Sequence, residues 1–155
     1  MRLESETERA VLATLDRYAE RYNAKDVDGV TDLFADDPDV LLIGTGADER
    51  WIGKSEIRRQ FERNFAEAER TRFEWSSRHV AAAGDAAWVS ADAVVYVTVG
   101  GEDRSIPIRF TVVLDERDGV WRWLHRHASV AAEGQASGAA YPTVTDHVDA
   151  ASEPR

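Results

Sequence analysis

The chain changes its hydrophobic period once, near residue 70, and that change divides it into helices followed by strands. Residues 5–23 repeat apolar side chains at helical spacing: Val11, Leu15, Tyr18 and Tyr22, flanked by Leu12 and Ala19, form one stripe. Ser5 with Glu8 three residues on fits a capping box, in which the two side chains satisfy free N–H groups of the first turn. "NAKDVDG" interrupts the pattern, and Asp26 can cap a short second helix through Val30, Leu33 and Phe34. Pro38 forbids its continuation. "VLLIG" (40–44) reads as a short apolar strand and "TGADERWIGK" as a loop. Ser55 reads as the cap of a third helix carrying Ile57, Phe61 and Phe65.

Beyond that helix the period is 2, with strands expected near 71–82, 86–99, 105–116 and 120–131. Turn signals join them at "AGDA" (83–86), "GGED" (100–103) and "ERDG" (116–119), so consecutive strands form an antiparallel meander. Helices first and strands after predict an α+β fold with the helices on one face of the sheet. Residues 133–155 are small and polar with almost no apolar pattern. They read as a flexible C-terminal tail, or as an arm that orders on a partner.

The last strand poses the sharpest question of facing. In "WRWLHRHAS" (121–129), Trp121, Trp123, His125, His127 and Ser129 alternate with Arg122, Leu124, Arg126 and Ala128. Alternation puts an aromatic and imidazole set on one side and a cationic and aliphatic set on the other. A single β-bulge would exchange the two sides from that point on.

A length of 155 residues suits one domain with a real core. No run of about 18 apolar residues could span a bilayer. "MRLESETERA" has no apolar signal region and the chain has no cysteine, so the expected compartment is the cytoplasm. A net charge of −10 argues against nucleic acid and anionic membrane surfaces as partners. Lys occurs only at 25 and 54, and Arg supplies the other basic residues; with the acidic, Ala-rich composition this fits a salt-adapted protein.

Among possible motifs, "IGKS" (52–55) mimics the end of a phosphate-binding loop. The motif needs Gly at position 48, where this chain has Asp, and no parallel βαβ pattern surrounds it; a helix cap accounts for it better. His125 and His127 have the spacing of two zinc ligands, with His79, His147 or Asp92 as the available third. Satisfied, metal-free histidines on a packed sheet face are the commoner outcome, and neither metal nor cofactor is expected. Asp92 shares a strand face with Trp88, Ser90, Val94 and Tyr96, and a carboxylate among aromatics is costly to bury unless paired. It reads as a tuned acid or base, as the anchor of a polar ligand, or as a structural partner of Arg109 or Arg126. Tyr18 reads first as a core residue, and Trp51 as either a pocket lid or a hydrophobic plug.

The order of the first helix, "NAKDVDGVTDLFADDPDV", "WIGKSEIRRQF", "GDAAWVSADAVV" and "RDGVWRWLHRHAS" resembles the SnoaL-like branch of the nuclear transport factor 2-like superfamily over residues 8–131. "DGVWRWLHRHAS" is also similar to the association domain of calcium/calmodulin-dependent protein kinase II. The resemblance implies a SnoaL-like domain over 1–132 with a cone-shaped fold, in which a curved antiparallel sheet wraps about three N-terminal helices around one deep pocket. It further implies a homodimer through the outer sheet face. "LDRYAERYNAKDVDGVTDLFADD" resembles the start of ketosteroid isomerases, whose hydrogen-bonding tyrosine corresponds to Tyr18. Their general base falls at about Leu42 and their second acid near Arg109 or Phe110, so that proton transfer lacks its groups here.

By the same analogy, Leu124, Arg126 and Ala128 would face the pocket with Ser90 and Asp92, while Trp121, Trp123, His125 and His127 would lie outside. His127 is the alternative on the pocket side. The expected site is therefore Tyr18, Trp51, Trp88, Ser90, Asp92, Tyr96 and Arg126. It would take a small apolar ligand bearing a carbonyl or carboxylate, with Arg126 as its fork. Two further functions stay open: an isomerase or cyclase using Asp92 as general acid or base, and an assembly module acting through the outer sheet face.

Overall fold

In the computed structural model, residues 5–143 are described; His147 and residues 144–155 of the predicted tail fall outside them. Three helices come first: α1 (Glu6–Asn23), α2 (Val27–Thr31) and α3 (Lys54–Glu67). Ser5 caps α1 by accepting the Glu8 N–H at 3.1 Å, and Asp26 caps α2 by accepting that of Gly29 at 2.9 Å. Two short strands, β1 (Leu41–Ile43) and β2 (Arg50–Ile52), precede α3. Four long ones follow it: β3 (Arg70–Ala83), β4 (Ala86–Val99), β5 (Glu102–Arg117) and β6 (Val120–Ser129). Residues 132–143 form turns, with no helix or strand among them.

The six strands make one curved, open sheet in the order β2-β1-β6-β5-β4-β3. The four long strands are the expected antiparallel meander. The strand inventory and pairing differ from the sequence reading in two ways. The segment expected to be wholly loop contains β2, whose three residues pair with β1 and are too few to show alternation. In addition, β1 runs parallel to β6. The chain leaving α2 is laid along β6, with Ala35 N–H on the Trp123 carbonyl at 2.9 Å and Trp123 N–H on that of Leu33 at 2.8 Å. The N-cap of α3 is Gly53 at φ 89° and not Ser55.

The apolar stripe of α1 lies against the concave face of the sheet. Tyr18 stacks on Trp123 with ring centres 5.0 Å apart, and Phe34 and Phe110 meet the same indole edge-on at 5.6 and 6.1 Å. The Trp123 N–H donates to Thr14 Oγ1 at 2.9 Å, so the largest core side chain is also hydrogen-bonded.

The facing question of the last strand is settled by a bulge. Val113 pairs with His125 and Leu114 with Trp123, which leaves Leu124 as an extra, unpaired residue. Before it, Trp121 and Trp123 point inward and are buried; after it, Arg126 and Ala128 point inward. The expectation that both tryptophans lie outside is thereby corrected. Two indoles at the outer face would have left the space between α1 and the sheet unfilled.

Candidate functional site

A cavity of about 370 Å³ opens between α3, the loop before β2 and the concave face of β4, β5 and β6. Its two walls differ. Val95, Val97, Ile106 and Ile108 form an apolar wall from alternate positions of β4 and β5, with the exposed Arg104 at its edge in an ion pair with Glu102. Opposite them stand polar side chains: Gln60, Asn64 and Glu67 from α3, Glu49 and Thr45 from the loop, and Tyr22 from the end of α1. Arg126 and Ala128 line it from β6.

The polar wall is a connected network. Gln60 Oε1 accepts the Trp51 indole N–H at 2.5 Å and an Arg63 N–H at 3.2 Å. Its amide donates to Asn64 Oδ1 at 2.6 Å and to Glu49 Oε1 at 3.2 Å. With two bonds given and two accepted, Gln60 has no capacity left for a ligand. Glu49 Oε1 also accepts from Arg63 at 3.0 Å, and Oε2 accepts the Gly46 N–H at 3.1 Å. The carboxylate rests so closely on Gly44 that a Cβ there would lie 1.9 Å from Oε2.

Arg126 is of a different kind. It is 7% exposed, its Nε has no hydrogen-bond partner, and its guanidinium has no ion-pair partner among the described residues. One N–H makes a long contact of 3.5 Å with the Tyr18 hydroxyl, and Cζ stands 4.8 Å from the centre of the Phe110 ring. Burial raises the Tyr18 hydroxyl pKa, and Arg126 opposes that rise in part. Tyr22 is shifted upward for the same first reason. Both phenols therefore stay neutral donors at neutral pH.

Of the expected site residues, only Arg126 lines the cavity. Tyr18 and Trp51 stand one layer behind, touching Arg126 and Gln60 respectively; Trp51 is the plug of the two readings weighed for it, with the Arg63 guanidinium 5.7 Å from its ring. Trp88, Ser90, Asp92 and Tyr96 belong to the convex face of β4, which corrects their assignment to the pocket. Their alternates Ala87, Val89, Ala91 and Ala93 take the inner positions and are buried, so the parity of the strand leaves no other arrangement. Asp92 is exposed and accepts from Ser77 Oγ at 2.9 Å. It pairs with neither arginine: Arg109, opposite it in register, donates instead to the Val130 carbonyl at 2.9 Å. Tyr96 lies under the Arg72 guanidinium, 4.0 Å from Cζ to ring centre. His127 is exposed on the convex face and does not take its alternative pocket place. His125 and His127 point the same way, with ring centres 6.4 Å apart.

Glu49, Gln60, Asn64 and Tyr22 are the site residues that the sequence reading missed. Gln60 and Asn64 did leave a signal: they are spaced i, i+4 on the shoulder of the Ile57, Phe61, Phe65 stripe, where a buried polar side chain must find partners.

The architecture has close counterparts. A nuclear transport factor 2-like superfamily protein from Salmonella enterica serovar Typhimurium is 18% identical, with a TM-score of 0.75 over 86% of this chain and 96% of its own. A candidate calcium/calmodulin-dependent protein kinase II association domain from Xanthomonas campestris is 24% identical, with a TM-score of 0.73 over 83% and 90%. A candidate dehydratase of the nuclear transport factor 2-like family from Streptomyces avermitilis is 19% identical, with a TM-score of 0.73 over 80% and 96%. A search of the curated proteins found no match. The SnoaL-like domain profile matches residues 11–133, the span that holds the core, the sheet and the cavity, and the chain belongs to that family.

Proposed function

We propose that the protein binds a compact, largely apolar small molecule through an anionic oxygen held by Arg126. The observation that carries this reading is the buried guanidinium without a counter-ion. Keeping a charge out of water and unpaired costs several kcal/mol, which a carboxylate or enolate oxygen would offset. The apolar wall of Val95, Val97, Ile106 and Ile108 fits the body of such a ligand. A volume of about 370 Å³ is at the small end of ligand pockets. Titration of the protein with 3-phenylpropanoate tests the reading. Replacing Arg126 by Gln should weaken binding by about 10- to 100-fold, the worth of a charged hydrogen-bonded contact. Equal affinity in both proteins would remove Arg126 from the site. Asp92 has no part in this reading.

A second reading concerns the convex face, where Trp88, Val113, His125, Leu41 and Ile52 follow one another across five strands in register. Trp88 is 46% exposed and Ile52 57%. We infer that this band meets a second copy of the chain. Exposed Arg50, Arg109 and Asp92 give the face both signs of charge, as a surface that pairs with itself about a two-fold axis requires. Sedimentation of Trp88→Glu should show a smaller species than the parent. An unchanged species would sink this second reading and leave the cavity reading untouched.

A further inference from the structure

Among the described residues, four charged side chains line the cavity; Glu67 and Arg104 are exposed, whereas Arg126 and Glu49 lie deeper and stand in opposite states of satisfaction, and that contrast narrows the ligand class. This step rests on the reading of Arg126 as the anion site. A carboxylate has about four acceptor positions. Glu49 uses three of them, for Arg63, Gln60 and Gly46, and its charge is already matched by Arg63. Its side chain is 17% exposed and lines the same cavity as Arg126. The loop is shaped around it, since any side chain at Gly44 would occupy the place of Oε2. A group so held has one acceptor position to offer and no need of a cation.

We propose that the ligand is a hydroxy acid: its carboxylate sits on Arg126, its hydroxyl donates to Glu49, and its apolar body lies along β4 and β5. Glu49 is then the specificity-determining residue that separates hydroxylated acids from their parent compounds. A neutral hydroxyl fits better than an ammonium, because Arg63 has already balanced the Glu49 charge.

The test compares 3-phenylpropanoate with its three ring-hydroxylated isomers by calorimetric titration of the full-length protein. At least one isomer should bind about tenfold more tightly than the parent acid, the scale of a hydrogen bond to a charged acceptor. In Glu49→Met that preference over the parent acid should vanish. Gly44→Ala, which displaces the carboxylate without deleting it, should reduce the preference in the same direction. If no isomer outbinds the parent in the wild-type protein, the hydroxyl assignment is overturned and the anion site stands. If neither the parent acid nor any isomer binds, both fail together. A preference that survives intact in folded Glu49→Met would move the hydroxyl contact to another side chain.

Discussion

Arg126 shows at the scale of one residue how function and stability pull apart. A guanidinium that is 7% exposed, with an unpartnered Nε, opposes folding of the empty protein. Replacing it by Met keeps an unbranched stem out to the position of Nε and removes the charged end, and with it the cost of a buried, incompletely hydrogen-bonded cation. Without ligand, Arg126→Met should therefore melt at or above the wild-type temperature, by up to about 1–3 kcal/mol in stability, the cost of a buried unsatisfied polar group. Thermal unfolding checks this directly. A clear fall in melting temperature would mean that the guanidinium is satisfied by something other than a ligand. Gln60 is the opposite case: it is just as buried, all four of its hydrogen-bonding positions are filled, and it makes a wall rather than a docking point.

At the scale of elements, the site depends on α3 and on where it ends. Lys25, in the left-handed region at φ 52°, sends its ammonium group across to the carbonyls of Phe65, Ala68 and Glu69. These are orphan acceptors at the C-terminal end of α3, where a cation also opposes the helix dipole. The contact ties the turn after α1 to the helix that carries Gln60 and Asn64. Lys25→Met, which keeps the stem and deletes the charge, should cost about 1–2 kcal/mol. Chemical denaturation measures it, and faster amide exchange over 64–69 would localise the loss to the end of α3. An unchanged midpoint would show that this cap adds nothing.

For the whole molecule, His125 on the convex face makes stability respond to pH near neutrality. Burial first, and the charge of His127 second, lower the His125 pKa from its ordinary 6.5. Folding thus disfavours protonation of this imidazole, and the unfolded chain binds the proton more readily. Stability is fully present above about 6.5 and is lost as pH falls from there through the lowered folded value, after which the loss stays constant. Melting temperature followed from about pH 8 to pH 5 should fall further in the wild type than in His125→Gln. Parallel curves would show that His125 is not burdened by its surroundings. The lowered carboxyl pKa values of Asp36, Asp37 and Asp48, each held by a hydrogen bond from a basic side chain, act in a more acid range and are common to both proteins.

Period and punctuation carry the architecture in this chain. The stripe of α1, the caps at Ser5 and Asp26, and the three turns of the meander are local: each rests on side chains within a few residues of one another, so the sequence alone determined them. The inward course of Arg126 and the outward course of His125 agree with what the family resemblance implied, since alternation by itself separates the two sets without saying which is inner. What alternation cannot reveal is an extra residue. Leu124 looks like any other member of the pattern, yet as a bulge it sends Trp121 and Trp123 inward and separates them from the histidines. The same limit applies to Asp92: the two faces of β4 are opposite, but which one meets the helices is decided by packing partners far away in sequence. The cavity lies further still from local rules, because Glu49, Gln60, Tyr22 and Arg126 come from four separate elements. Their meeting is a consequence of sheet curvature and helix placement, and only the tertiary structure could bring an unpaired cation and a satisfied carboxylate into one hollow.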